Sequence, residues 1–232
     1  MPDDIDALLG IAPQAEPDTA PAGDGKSEYF ADGTRRQVDG LDRRPRTKRE
    51  PAKRRHRRIL REQACASQIG ELPEPGEDVV MILTGDWHGW DVLGAVLDLA
   101  GGATIERLHI ATLGFNRTQG QHLADLIDDG QIGRVTMVVS EIFSEKSIGE
   151  FGTLHRLLVE ERSQSLASTR NHAKLICCQM TDDRRFAIHG SLNLRRCNAF
   201  EQMIISHDRE LYQFFVDYIE EVATSGKAAS SG

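Results

Sequence analysis

A chain of 232 residues can form one good-sized domain with a substantial core, but its 39% hydrophobic content lies below the usual globular share. This shortfall indicates that part of the chain does not fold. Its 28 basic and 36 acidic residues give a net charge of −8, and no stretch is apolar for long enough to cross a membrane. We therefore expect no membrane partner.

The N-terminal segment, residues 1–49, is rich in Asp, Pro, Gly, Ala and Thr and contains few large apolar residues. Such a composition cannot bury enough surface to offset the entropy of ordering the chain. Acidic residues follow Met1, where a secretion signal would have a basic and then an apolar region. We expect residues 1–70 to form a disordered tail, and a protease-resistant fragment to start near Glu71.

A basic arm, residues 43–61, carries 11 of the 28 basic residues and one acidic residue. The rest of the chain has 17 basic and 35 acidic residues, a net charge of −18. A basic arm on an acidic body is typical of proteins that bind nucleic acid or another polyanion. The alternative is a solvated linker that neutralises its own domain. The arm residues expected to contact nucleic acid are Arg54, Arg55, Arg57 and Arg58.

Part of this arm also fits a helix, over residues 52–68, with Ile59 and Leu60 as its apolar contacts. Residues 71–78, which contain Pro and Gly, mark the boundary of a folded domain. The four cysteines have neither zinc spacing nor a disulfide pattern, so we expect reduced thiols in a cytoplasmic protein. Two of them, Cys177 and Cys178, are adjacent on a predicted strand and would point to opposite faces.

Strands alternate with helices after this boundary, which predicts an α/β fold with a mixed, mostly parallel sheet sandwiched by helices. The predicted strands are residues 79–83, 105–113, 134–140, 175–178 and 184–189. The predicted helices are residues 91–100, 118–129, 149–162 and 208–223. We expect the domain to span residues 77–224 and residues 225–232 to be a flexible tail.

Two loops follow the first two predicted strands, at an edge where α/β sheets commonly bind ligands. In the first loop, residues 84–90, either Trp87 or Trp90 stacks on a base or sugar, or both tryptophans anchor the loop to the core. His88 is expected to reach a phosphate. Asp86 with His88 suggests a metal pair, but no third ligand has convincing spacing, so we expect no metal. In the second loop, Arg117 either contacts a phosphate or is solvated, and Asn116 is expected to cap the next helix.

A histidine and a lysine, His172 and Lys174, stand two residues apart at the start of a strand-like run, so both face one side of it. A returning strand leads to Gly190 and Ser191, followed by Asn193. Lysine charge with hydroxyl and amide donors suits the negative charge that grows on a phosphodiester under attack. A histidine with a pKa near neutrality can serve as nucleophile or proton donor.

This arrangement, His-x-Lys followed by Gly-Ser-x-Asn, resembles the phospholipase D superfamily with its HKD motif. The resemblance implies that His172 attacks phosphorus and forms a phospho-histidine, and that a second histidine protonates the leaving oxygen. It implies that Lys174, Ser191 and Asn193 hold phosphate oxygens, that Gly190 lies beside the substrate, and that Glu201 orients the histidine. It also implies that no metal or other cofactor takes part.

The family's aspartate, five residues after the lysine, is replaced here by Gln179. The resemblance implies that this aspartate is mainly structural, so its replacement is compatible with catalysis, but it also favours the alternative of a relative that has lost turnover. The chain has one His-x-Lys, whereas the family's active site is bilobed, which implies a homodimer with the site on its two-fold axis. We expect a metal-independent phosphodiesterase, nuclease-like, acting on DNA or RNA. The alternatives are an inactive nucleic-acid-binding relative and a phospholipid-cleaving enzyme.

Overall fold

The computed structural model describes residues 52–83, 87–191, 194 and 201–228, and these all belong to one unit that begins at Arg49. Several expectations lie outside the described residues. They concern the tail before Ala52, the side chains of Arg54 and Arg55, Asp86, and Asn193.

Among the described residues, seven strands form one sheet and six α-helices flank it. The strands are β1 (Asp78–Leu83), β2 (Ile105–Thr112), β3 (Ile132–Ser140), β4 (Ser165–Thr169), β5 (Leu175–Met180), β6 (Arg185–Gly190) and β7 (Glu201–Ser206). The helices are α1 (Ala52–Ile69), α2 (Asp91–Leu99), α3 (Arg117–Asp128), α4 (Glu141–Lys146), α5 (Ile148–His155) and α6 (Arg209–Ala228). A π-helical turn, Arg156–Glu160, follows α5 directly.

The sheet has the order β1-β7-β6-β5-β2-β3-β4, and the expected α/β fold with a mixed sheet is confirmed. Five strands run in one direction, while β5 and β7 run in the other. Because β5 and β7 each lie between two of the five, only the pairs β2–β3 and β3–β4 are parallel neighbours. The sheet is therefore mostly parallel in strand direction but mostly antiparallel in pairing.

Helices cover both faces of the sheet, as expected of a sandwich. One face carries the main core with α1, α2, α3 and α5, and α6 packs on the other. The adjacent thiols of β5 illustrate the alternation of a strand, because Cys178 lies in the main core and Cys177 lies under α6 beside Tyr212. Burial raises the pKa of Cys177 to about 12, so this thiol stays protonated at neutral pH.

Helix α1 corrects the expected domain boundary, because the second half of the arm is part of the folded unit. The alternative of a helix over residues 52–68 is confirmed, but its apolar contacts differ from those predicted. Cys65 and Ile69 lie in the main core, whereas Ile59 and Leu60 are 38% and 50% exposed. The helix therefore packs on the core through its C-terminal half. The buried apolar residues of that half are the small Cys65 and the final residue of the helix, Ile69.

Three elements were not predicted from the sequence: β4, α4 and β7. The segment of β4 is short and polar, and the segment of β7 follows directly on the predicted motif. The last helix extends past the predicted end, as far as Ala228, into the stretch expected to be a flexible tail. Within the described part of the chain, no helix has the length and apolar composition needed to span a bilayer.

Candidate active site

The loop that carries His172 is held from below by Asn171, which is buried. Its amide nitrogen donates to the carbonyl of Thr112 at 3.1 Å and to that of Val138 at 3.3 Å, so it joins the ends of β2 and β3. Its side-chain oxygen accepts from the backbone nitrogen of Ala173 at 2.8 Å. These three bonds fix the backbone on both sides of His172, and sequence analysis missed this residue.

His172 and Lys174 lie together, as their spacing predicted. The ammonium of Lys174 is 3.0 Å from Nδ1 of His172 and 3.0 Å from its carbonyl oxygen. His172 is exposed and Lys174 is half-buried. Because an ammonium can only donate, Nδ1 accepts and the proton of the neutral imidazole lies on Nε2.

The Gly-Ser pair comes to the same place through the pairing of β6 with β7. A side chain at Gly190 would place its Cβ 2.1 Å from the carbonyl oxygen of Gln202, so only glycine fits. The hydroxyl of Ser191 donates to the carboxylate of Glu201 and accepts from the backbone nitrogen of Gln202 at 2.9 Å. Glu201 thus positions the serine in this structure, and its expected contact with the histidine stays a prediction.

A cleft of about 590 Å³ that opens to solvent is lined by His172, Lys174, Gly190 and Ser191. A second histidine, His189 of β6, lines it too, with its ring 5.6 Å from that of Phe215 on α6. Burial lowers the pKa of His189, so this imidazole is neutral at pH 7. The residues around the opening are His172, Lys174, His189, Gly190, Ser191 and Phe215.

Gln179, which replaces the family's aspartate, lies at the far end of β5 from Lys174. Gln179 is five residues further along the strand, a distance of about 16 Å. Its side-chain amide donates to Glu106 at 3.2 Å on the neighbouring β2. The substitution therefore affects contacts between strands and not the cleft.

The loop before α2 corrects one expectation. Trp87 is 3% exposed and donates from its indole nitrogen to Gln68 at 2.9 Å, so it anchors α1 to the core and is not available to stack on a base. Trp90 is equally buried and donates to Nδ1 of His122 at 3.0 Å. Of the two interpretations of the tryptophans, the structure shows the core anchor.

The other two binding residues predicted in these loops, His88 and Arg117, lie outside the cleft. His88 lines a separate pocket together with Arg57 and Arg58 of α1. Arg117 is exposed in the first turn of α3. Asn116 caps this helix, as expected, by accepting from the backbone nitrogen of Gln119 at 2.9 Å. Among the described residues, no three His, Cys, Asp or Glu side chains are grouped to hold a metal ion.

No protein-family model and no curated protein matches this chain. Among solved structures it is similar to Nuc from Salmonella typhimurium, a phospholipase D family member, with 18% identity, a TM-score of 0.47, and 65% of this chain and 97% of that one covered. It is similar to NucT from Helicobacter pylori, with 15% identity, a TM-score of 0.48, and 64% and 96% covered. It is also similar to the phosphatidylserine synthase of Haemophilus influenzae Rd KW20, with 18% identity, a TM-score of 0.44, and 78% and 47% covered. Identities and TM-scores this low carry no conclusion about substrate or mechanism.

Proposed function

We propose that this protein is a phosphodiesterase of the phospholipase D superfamily that cleaves DNA or RNA through a phospho-histidine on His172. The observation that carries the proposal is the shared cleft of His172, Lys174, Gly190 and Ser191. A nitrogen nucleophile, a cation and a hydroxyl donor around one opening are what attack on a phosphodiester requires.

The reaction has two displacements at phosphorus. Nε2 of His172 attacks, the P–O bond to the leaving group breaks, and a second imidazole gives that oxygen its proton. Water then attacks phosphorus and gives a proton to the second imidazole, and the phosphorus–nitrogen bond breaks to release His172. Lys174 and Ser191 bind the non-bridging oxygens, whose negative charge is greatest in each transition state.

Attack through Nε2 requires the ring proton on Nδ1, and the observed bond from Lys174 to Nδ1 holds the other tautomer. An entering phosphate offers the ammonium a charged acceptor, which is a stronger partner than a neutral imidazole. Lys174 then moves onto the phosphate and frees Nδ1. The imidazole then exchanges its proton from Nε2 to Nδ1 through water. Glu201, which accepts from the Ser191 hydroxyl in this structure, is the carboxylate proposed to accept a hydrogen bond from Nδ1–H instead, which frees that hydroxyl to donate to the phosphate.

The second imidazole is proposed to come from a second copy of this chain, with the cleft on the two-fold axis. Exposed apolar side chains beside the cleft support this arrangement. Val80 on the edge strand β1 is 62% exposed and lies opposite Ile204 of β7, which in turn lies opposite His189 of β6. Phe214 is 69% exposed and its ring contacts that of Phe215. An edge strand with outward apolar residues is a surface that proteins normally cover.

A binding protein without turnover is the second candidate. Two observations favour it. Lys174 donates to Nδ1 of His172, which holds the tautomer that cannot attack through Nε2. The body is acidic, and a surface of negative charge repels a polyanion. The distant position of Gln179 removes one reason to prefer it.

Hydrolysis of a labelled oligonucleotide in EDTA separates the two candidates. We expect turnover in the wild type, loss of at least about a thousandfold in His172→Ala, and no change in His155→Ala, a control on the surface of α5. No hydrolysis by the wild type, or equal rates in wild type and His172→Ala, would exclude the proposed enzyme.

A further inference from the structure

A second pocket of about 250 Å³ lies where α1 meets the N-terminus of α3, and it shares no lining residue with the cleft. We call it the arginine pocket. Its walls include Arg57, Arg58, Arg61, His88, Asn116 and Thr118. The three arginines are the last three basic residues of the basic arm, so the arm ends inside a formed pocket.

The arginine pocket keeps a surplus of positive charge. Asp91 is buried and neutralises Arg61, with 2.9 Å between carboxylate and guanidinium. Glu62 lies 3.5 Å from Arg58, but burial raises the pKa of Glu62 to about 7, so near neutral pH it balances only part of that charge. Arg57 is exposed at the rim. An anion that enters therefore meets a positive field.

The opposite wall is also suited to an anion. Asn116 and Gln119 form a reciprocal capping box at the start of α3, which fixes this wall. The positive end of the helix dipole faces the pocket there, and Thr118 adds a hydroxyl. The buried His122 stays neutral, because burial lowers its pKa to about 3.

The wall of the arginine pocket also connects to the motif. The side-chain amide of Gln119 donates to the carbonyl of Leu194, close after the Gly-Ser pair. Leu194 and Gly89, the neighbour of His88, share a narrow space with Lys174 and His189 of the cleft. Residues next to the arginine pocket thus lie against residues of the cleft.

We propose that the arginine pocket binds a backbone phosphate of the same nucleic acid strand that the cleft is proposed to cleave. This inference rests on the proposed function for its substrate. A nucleic acid is preferred to a lipid because the pocket is continuous with the basic arm, which can follow further phosphates along a strand.

The decisive variants are Asn116→Asp and Asn116→Ser. Both keep a side-chain oxygen to cap α3, and aspartate is as good a cap as asparagine, so both should fold. Only Asn116→Asp adds a negative charge to the pocket wall. We expect it to weaken the binding of a fluorescent single-stranded 12-nucleotide oligomer about tenfold, with Asn116→Ser within about twofold of the wild type.

A second pair of variants tests the other wall. Arg57→Gln should weaken binding several-fold, whereas Arg134→Gln, which removes an exposed charge at the start of β3, should not. Wild-type affinity in both Asn116→Asp and Arg57→Gln would overturn the proposal. Binding is measured without reference to cleavage, so an inactive protein that shows these losses would count against the proposed enzyme alone.

A site-specific readout comes from the two tryptophans. Trp90 lines the arginine pocket and Trp87 does not, so their indole N–H signals in a ¹H–¹⁵N spectrum, assigned with Trp87→Phe, report separately. The oligomer should shift the Trp90 signal saturably in the wild type, and Asn116→Asp should need about tenfold more oligomer to reach half of that shift. A saturable shift with inorganic phosphate but none with the oligomer would assign the pocket to the free ion and overturn the nucleic acid proposal.

Discussion

Asn171 lies buried beneath His172, and its amide bridges the ends of β2 and β3 while its oxygen holds the backbone of Ala173. It touches no substrate in the proposed mechanism. We expect it to position the proposed nucleophile, because a displacement of about 1 Å at a reacting group is enough to lower a rate about a hundredfold.

Asn171→Ala should therefore lower both stability and turnover. Loss of three buried hydrogen bonds should reduce the free energy of unfolding by about 1–3 kcal/mol. At a temperature where the variant is fully folded, kcat should still fall at least about tenfold, which a purely structural role would not cause. Thr153→Ala, which loses an exposed bond on α5, is the control for kcat. Unchanged kcat in folded Asn171→Ala would contradict the positioning role.

The pH dependence of stability tests the carboxyl of Glu62. Its pKa rises from 4.5 to about 7, chiefly because burial disfavours the charged form. The nearby Arg58 and Arg61 lower this pKa, whereas Asp91 and Asp98 raise it further. Between these two pH values the folded state binds more protons than the unfolded state, so the free energy of unfolding falls as pH rises through this window. Burial lowers the pKa of His122 from 6.5 to about 3, so His122 contributes the opposite slope between these two pH values, and the two windows overlap.

Glu62→Gln removes the first contribution and keeps the second. Relative to the wild type, this variant should become more stable as the pH is raised from 5 to 8, measured from urea midpoints at each pH. The exposed Glu145→Gln should show a constant difference. A constant difference for Glu62→Gln as well would mean that its carboxyl titrates normally.

At the scale of elements, α1 decides where the folded unit begins. A chain starting at Ala52 should keep the thermal stability of the full protein, whereas one starting at Glu71 loses the burial of Cys65 and Ile69 and the anchor of Trp87 on Gln68. We expect the shorter chain to lose about 2–5 kcal/mol. Limited proteolysis should stop near residue 52. Equal stability of both truncations would restore the boundary expected from the sequence.

Most of the regular elements could be predicted from the sequence because their hydrophobic pattern is local. Which strands pair with each other, and which helices pack together, could not be predicted from the sequence. Strand β7 lies between β1 and β6 because it pairs with residues distant in sequence, such as Met81 and Gly190. Its local hydrophobic pattern does not predict this pairing. The sequence placed α1 in the tail for a related reason: few of its residues make apolar contacts, and charged residues dominate its local pattern.

The candidate site divides in the same way. His172, Lys174, Gly190 and Ser191 were predicted from spacing along two adjacent strands, and the structure brings them together. Asn171 could have been noticed as an Asx-turn residue before a strand, but its bonds to two other strands depend on the fold. The arginine pocket joins three segments far apart in sequence, so it was beyond any local pattern.

At the scale of the whole molecule, the proposed dimer predicts how mixed populations behave. His172→Ala should fold and dimerise as the wild type does, and heterodimers of the two should lack one of the two imidazoles and be almost inactive. Activity in an equimolar mixture should then fall to about a quarter of that of the same total amount of wild type, since random pairing leaves that share of intact dimers.

A full rate from a monomer, shown by light scattering under assay conditions, would contradict the dimer. The acid would then be sought within one chain. His189 replaces His88 as the first candidate, because His189 lines the cleft and His88 lines the arginine pocket. The lowered pKa of His189 means that its protonated form is populated only below neutral pH, so such a monomer should be most active there.

The proposed mechanism requires a covalent intermediate on His172. Wild-type protein mixed with an oligonucleotide in EDTA, quenched within one turnover at alkaline pH to preserve the phosphorus–nitrogen bond, should yield a peptide carrying the nucleotide fragment on His172 by mass spectrometry. The same adduct should be absent from His172→Ala and present in the control His155→Ala. Cleavage without any adduct on His172, or an adduct on another residue, would contradict the mechanism.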